Sequence, residues 1–308
     1  MKYLSKSFKN VYTFFQTYAN IDKVEIDKCN VKYSDREDID KWLLSKYNKL
    51  VMDVTYEYER YDLNNVVRLI TTFVSDDLSN WYIRRNRDRF WSSNMDNSKK
   101  AVYITTYEVL EGLCRLCAPV IPFVTEEIYT KLTGNTSVHL ADFPHVNKRH
   151  IKEELETKMD MVRDLISMGR NAREEARIKV RQPISDIIVD ARNRDVIGDM
   201  EILIKEELNV KKINYLDNLG EYMNISYKPN FKEAGRVFGK DMREYQNYLN
   251  NISDEDITNL ENGNLSIEIN GTKYDITSNL VDRKIESRPG YNVMVYNKLV
   301  LILNTELT

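Results

Sequence analysis

Asp38-Ile39-Asp40-Lys41-Trp42-Leu43-Leu44-Ser45-Lys46-Tyr47-Asn48-Lys49-Leu50-Val51-Met52-Asp53-Val54-Thr55-Tyr56-Glu57-Tyr58 carries apolar groups at Ile39, Leu43, Tyr47, Leu50, Val51, Val54 and Tyr58. Intervals of three and four stack side chains on one helical face, so the stretch predicts an amphipathic helix with one buried side. Asp35 or Ser34 is placed to cap its start. Beyond a break at Tyr61-Asp62-Leu63-Asn64, a second stripe follows at Val66, Val67, Ile70, Phe73, Val74 and Trp81. So short a connection makes the two helices antiparallel neighbours. A third helix begins near Asn97 or Ser98, turns Tyr103, Leu110, Leu113, Cys117 and Val120 inward, and is ended or kinked by Pro119 and Pro122. Residues 8–18 supply a fourth. The fold expected is mainly α, an antiparallel helical bundle.

The pattern changes between residues 134 and 150. Ser137-Val138-His139-Leu140-Ala141-Asp142-Phe143-Pro144 reads as extended chain, and a long helix follows over residues 151–177. Short strand-like runs then appear at 184–189, 210–215, 225–228, 265–269 and 291–303, alternating with helical patterns at 195–207 and 231–249. Asn270-Gly271, set between two alternating runs, is a strong two-residue hairpin signal. We expect two domains, a helical one over residues 1–145 and a smaller α+β one over residues 146–308 that opens with the long linking helix.

Asn80-Trp81-Tyr82-Ile83-Arg84-Arg85-Asn86-Arg87-Asp88-Arg89-Phe90-Trp91 interleaves four arginines with four aromatics at the end of the second helix. Arginine binds phosphates through a planar fork and stacks on bases, and aromatic rings offer platforms for unpaired bases. The run therefore reads either as a grip on single-stranded RNA or as a helix end with solvated arginines and core aromatics. At about 100° per residue, Arg84, Arg85, Arg87 and Arg89 point in several directions around the helix. Charges all round cannot lie inside a bundle, so this end is expected to project beyond its neighbours, with Asp76 and Asp77 near enough to pair some of the arginines. Trp81 continues the buried stripe and reads as an anchor; Trp91, beyond it, is the better stacking candidate. A second basic set is Arg170, Arg173, Arg177, Lys179 and Arg181. It reads as a solvated helix face paired with Glu174 or as a line tracking an RNA backbone.

Composition narrows the classes. With 45 basic and 48 acidic residues, formally -3, the chain of 308 residues has no global positive field, so nucleic-acid contact must come from local patches. Three cysteines, Cys29, Cys114 and Cys117, offer no disulfide framework and suit a reducing cytoplasm. There is no signal peptide or long uncharged apolar run, so no membrane is expected. His139, His145 and His150 lack the neighbours that a triad or metal site requires. Cys114-Arg115-Leu116-Cys117 has a redox or half-zinc spacing, but it sits on an apolar stripe without a second pair and reads as core. No phosphate loop is present.

Asp40-Lys41-Trp42-Leu43-Leu44-Ser45, Tyr61-Asp62, the run from Phe73-Val74-Ser75-Asp76-Asp77 to Arg84-Arg85, and Arg89-Phe90-Trp91 resemble, in order and spacing, the anticodon-binding helical domain of isoleucyl-tRNA synthetases. Leu116-Cys117-Ala118-Pro119-Val120-Ile121-Pro122-Phe123 resembles a helix shared with the valine and leucine enzymes. Gly169-Arg170-Asn171-Ala172-Arg173, Lys179-Val180-Arg181-Gln182-Pro183, Lys228-Pro229-Asn230-Phe231 and Phe238-Gly239-Lys240 are similar to the isoleucine enzymes of the longer, eukaryote-like type. The family's His-x-Gly-His signature, Lys-Met-Ser-Lys-Ser loop and editing insertion are not found. Leu4-Ser5-Lys6-Ser7 imitates part of that loop but runs straight into the first bundle helix, so it reads as coincidence, and the chain looks like a C-terminal fragment.

The resemblance implies recognition of the anticodon stem and loop of an isoleucine tRNA by a non-catalytic part of a monomeric cytoplasmic isoleucine-tRNA ligase. Catalytic and editing domains of the same polypeptide would do the chemistry. It implies ATP, and zinc in many members, for the whole enzyme and no cofactor or metal on this stretch. The RNA-binding residues expected are Arg84, Arg85, Arg87, Arg89, Trp91, Arg170, Arg173, Lys179 and Arg181. Alternatives are a helical protein-interaction scaffold, since Trp, Tyr and Arg also favour protein hot spots, or the same region of a valine or leucine enzyme.

Overall fold

The structure, a computed structural model, describes residues 2–306, the Asp254 side chain excepted. It divides into two compact units, Met1–Met159 and Asp160–Thr308.

The first unit is helical. Helix α1 (Lys2–Ile21) buries Leu4, Phe8, Val11, Tyr12 and Phe15, so Leu4-Ser5-Lys6-Ser7 is the first turns of this helix. Helix α2 (Asp38–Glu59) follows the expected stripe, but its cap is Glu37. The Glu37 carboxylate accepts from the Asp40 backbone while the Asp40 side chain accepts from the Glu37 N–H, a reciprocal box that satisfies two otherwise orphaned donors. Ser34 and Asp35 instead form a separate short turn.

Helix α3 (Leu63–Thr72) starts on an Asp62 cap and passes without interruption into a π-helical segment, Phe73–Ile83. The segment turns Val74, Leu78 and Tyr82 inward, all buried. Tyr82 is thereby brought into the core alongside Trp81, whose Nε1 lies 3.3 Å from Met159 Sδ. Helix α4 (Arg87–Trp91) is a short piece after a turn at the buried Asn86. It packs Phe90 edge-on against Phe14 and Tyr103, with centroids 5.1 Å apart in both pairs. The projecting end expected from the sequence is therefore absent: the chain breaks at Asn86 and folds back onto α1 and α5.

Helix α5 (Asn97–Cys117) begins on an Asp96 cap, and α6 (Pro122–Thr133) starts at the second proline, which suits a first helical position because it lacks an N–H. The expected end at the prolines is thus a break between two helices. Gly112 lets α2 and α5 approach closely, since a Cβ there would lie 1.9 Å from the Tyr47 hydroxyl. Residues 137–144 form one short helical turn and coil rather than a strand.

Helix α7 (Glu153–Glu175) crosses the division between units. Glu156 accepts from Ser45 Oγ and lies 2.9 Å from Lys49 Nζ, and Met159 meets Trp81. These contacts tie its first turns to the helical unit.

The second unit is α+β. Strand β1 (Ile184–Asp190) pairs in parallel with β2 (Val210–Leu216), and the connection between them holds α8 (Arg194–Ile197) and α9 (Glu201–Leu208). Next come β3 (Met223–Pro229), α10 (Phe231–Phe238), α11 (Met242–Asn250) and α12 (Asp254–Glu261). The rest is strand: β4 (Leu265–Ile269), β5 (Thr272–Ile276), β6 (Val281–Ser287), β7 (Tyr291–Tyr296) and β8 (Leu299–Asn304). A four-stranded sheet runs β2-β1-β8-β7, while β3 pairs with β6 and β4 with β5. The β4–β5 hairpin turns at Asn270 and Gly271, both in the left-handed region that a tight two-residue turn requires. Phe238 stacks on Tyr245 at 3.8 Å in one apolar cluster, and Ile188, Leu219, Met223 and Ile302 form another. No described helix is long and apolar enough to cross a membrane.

Candidate nucleic-acid interface

The arginine-aromatic run separates into an inner and an outer set. Arg89 belongs to the inner set. Its Nη1 and Nη2 meet Asp40 Oδ1 and Oδ2 at 2.9 Å each, Nη1 also meets Asn86 Oδ1 at 2.8 Å, Nε meets Ser98 Oγ at 2.9 Å, and Nη2 meets the Ser98 carbonyl at 2.7 Å. Asp40 itself is fully buried. It accepts from Arg89 on both oxygens, from Tyr82 Oη on Oδ1 at 2.6 Å and from the Glu37 N–H on Oδ2 at 3.3 Å, which fills its acceptor sites. Burial and the adjacent Asp40 charge push the Tyr82 hydroxyl well above its ordinary pKa, so it stays a donor. The Arg89 side chain, expected from the sequence to contact RNA, is 13% exposed, with its fork engaged inside the protein. Its carboxylates come from the start of α2 rather than from Asp76 or Asp77.

The outer set faces solvent. Arg87 is exposed and Trp91 is 54% exposed, whereas Trp42 and Trp81 are buried. Arg84 and Arg85 are half-buried, with Arg84 Nε donating to the Asn80 carbonyl at 2.9 Å. The segment beyond Trp91 exposes Ser93, Asn94, Met95 and Asn97.

In the second unit, the basic line splits in the same way. Arg173 is buried and donates to the carbonyls of Lys179 at 2.9 Å and Asn209 at 3.2 Å, and to that of Leu208 at 2.5 Å. It reaches them because Gly169, one turn earlier, lets α7 come close to Leu208; a Cβ there would lie 2.3 Å from Leu208 Cδ1. Leu208 is the last residue of α9, where unsatisfied carbonyls and the negative end of the helix dipole favour a cation. Arg173, expected from the sequence to contact RNA, is thus placed as a brace between α7 and the entry to β2. Arg170, with its side chain 43% exposed, pairs with the buried Glu207. Lys179, Arg181 and Arg177 are exposed.

Sequence reading passed over Lys99, Lys211 and Lys212. Lys99 is 2% exposed and pairs with Asp22 at 2.6 Å; one of two adjacent lysines, Lys99 and Lys100, at a helix start carries no sign of that. Lys211 and Lys212 are exposed at the start of β2, whose Val210 sits opposite Ile184, three residues past Arg181. Charge at the head of a strand is the signal that would have marked them.

Cys29, Cys114 and Cys117 are all buried free thiols, and among the described residues no three His, Cys, Asp or Glu side chains group as a metal site.

Residues 40–189 match the family described as the anticodon-binding domain of tRNA ligase. Over nearly its whole length the chain is similar to isoleucine-tRNA ligases, at 37% identity over 97% of its residues to that of Bacteroides fragilis, 35% over 98% to that of Cytophaga hutchinsonii, and 36% over its full length to that of Chlamydia caviae. It aligns with the C-terminal region of these enzymes and spans 27%, 28% and 30% of their respective lengths.

Proposed function

We propose that this chain holds the anticodon stem and loop of an isoleucine tRNA as part of an isoleucine-tRNA ligase. The observation that carries the reading is the outer set: exposed Arg87 and Trp91 with half-buried Arg84 and Arg85, all within the residues that match the anticodon-binding family. Arginine forks meet phosphates and an exposed indole offers a face to an unpaired base. Lys179, Arg181 and Arg170 supply a second set of phosphate contacts.

No reacting group is needed in such a role. Binding energy spent on a remote part of a substrate positions its reacting end. In the whole enzyme, ATP and isoleucine would be joined in a catalytic domain of the same polypeptide, an editing domain would act on errors, zinc would serve outside this stretch, and the monomer would work in the cytoplasm.

Titration of the chain with an isoleucine tRNA transcript and with an anticodon-swapped transcript tests the reading. Tighter binding of the first is expected. Absence of binding to both would overturn it in favour of a protein-interaction scaffold, and equal binding would leave RNA binding without anticodon readout.

A further inference from the structure

Two cations, the part-buried Arg89 and the buried Lys99, close the segment between α4 and α5 from opposite sides. Arg89, ahead of the segment, holds the Ser98 carbonyl at 2.7 Å and Ser98 Oγ at 2.9 Å. Lys99, behind it, holds the Ser92 carbonyl at 2.5 Å. Each residue grips the flank on which the other stands. Asp40 neutralises the first cation and Asp22 the second, and Asp22 is fixed in turn by the Tyr103 hydroxyl. Asp96 Oδ1 accepts from the Lys99 N–H at 2.8 Å, so the far end of the loop is also the start of α5.

What the clamps hold buries little. Trp91, Ser93, Asn94, Met95 and Asn97 are exposed. Desolvating a guanidinium and an ammonium to shape a short turn is unfavourable compared with the glycine or Asx chemistry that closes most turns. The arrangement has a use when the loop must keep one shape while presenting its side chains outward. Those side chains are an indole, a thioether, two amides and a hydroxyl, beside the exposed carboxylate of Asp96. The first two offer polarizable surface for a base to lie on; the amides carry the donor and acceptor pairs that match base edges.

We infer that residues 91–97 form the element that reads unpaired bases, with Asn94 and Met95 as specificity-determining residues and Arg89 and Lys99 as positioning residues acting through the loop. The inference rests on the tRNA reading above. It assigns discrimination to a loop with little charge, and leaves the arginines to supply affinity without choice.

The test uses the full chain and two anticodon stem-loop RNAs, cognate and anticodon-swapped, with binding followed over a range of salt and by quenching of Trp91, the exposed tryptophan among three. Asn94→Ala and Met95→Ala are expected to weaken cognate binding about tenfold and to shrink the preference between the two RNAs, with the salt slope unchanged because no phosphate contact is lost. Lys99→Met should reproduce that pattern and abolish the quenching, and Lys99→Arg should restore both. Selectivity and affinity at the wild-type level in Asn94→Ala and Met95→Ala would overturn the inference, whether or not Lys99→Met folds. If the unaltered chain binds neither RNA, the functional reading fails and this one with it. If it binds and discriminates while the loop variants behave like the unaltered chain, only the assignment of the loop falls.

Discussion

Tyr82 and Asp40 meet inside the helical unit at 2.6 Å, joining the π-helical segment to the first turn of α2 through a hydroxyl that donates to a buried carboxylate. Tyr82→Phe removes one of four bonds to Asp40 and is expected to cost about 1 kcal/mol. Asp40→Asn strips the charge from beside Arg89 and should cost about 3 kcal/mol or more, because it leaves a buried guanidinium uncompensated. Urea denaturation of the two variants measures both. Equal losses would show that the ion pair and the hydroxyl contribute alike, against the account given for Arg89.

Arg173 and Arg181 lie eight positions apart and should answer differently to substitution. Arg173→Met removes three bonds to carbonyls, two of which keep backbone donors in Gln182 and Ile184, and is expected to lower stability by about 1 kcal/mol or more. Lys179→Ala and Arg181→Ala should change stability by less than about 0.5 kcal/mol. If they contact RNA backbone, each should reduce the slope of log affinity against log salt by about one. Melting curves and a salt titration separate the two behaviours.

His150 stacks on Tyr33 with ring centroids 4.1 Å apart and planes 3° from parallel. Burial lowers its pKa from the ordinary 6.5; Arg36 and Lys152 act the same way, against Glu108. The folded state therefore resists taking up a proton that the unfolded state accepts. Stability contributed by the neutral ring is complete above the unfolded value and is lost as pH falls from about 6.5. Asp190, held low by its bonds to Arg192, and Asp241, held low by Asn270 and Tyr274, titrate further down. Melting temperature should fall between about pH 7.5 and about pH 5.5. His150→Phe, which keeps the stack, should fall less over the same interval, and identical slopes would remove His150 from the account.

Gly112→Ala would put a methyl group 1.9 Å from the Tyr47 hydroxyl and 2.6 Å from the ring carbon that bears it. A loss of about 1–3 kcal/mol is expected. Tyr47→Phe in the same chain should recover only part of it, since the nearer atom goes and the ring stays. Full recovery, or none, in chemical denaturation would show that α2 and α5 adjust in some other way.

Long helices with strict periodicity were legible from the chain alone, as α2, α5 and α7 illustrate. So was the Asn270-Gly271 hairpin, whose turn geometry few other residues accept. The π-helical widening was not, because Phe73 to Ile83 holds no proline or glycine to announce it. Tyr82 of this segment is buried and shares the Asp40 carboxylate with Arg89. A buried arginine looks like an exposed one in a local pattern when its acid lies 49 positions earlier. The same distance problem hid Arg173, whose acceptors are carbonyls without side-chain signature. In the second unit, the helical patterns at 195–207 and 231–249 are each cut in two at Gly198 and Gly239. The run at 291–303 is likewise two strands, turned at Asn297 and Lys298, both with positive φ. Strand β6, largely exposed, offered too little alternation to be seen.

All three cysteines lie in the interior, and burial raises the thiol pKa of Cys29, Cys114 and Cys117. Alkylating reagents attack thiolates, so the native chain is expected to react slowly with them under mild conditions. A cysteine placed at Asn94 would stand out against that background. Dyes or spin labels could then be attached at the tip of the loop without first emptying the core of its own sulfur, and the loop's motion could be watched in an otherwise unaltered protein.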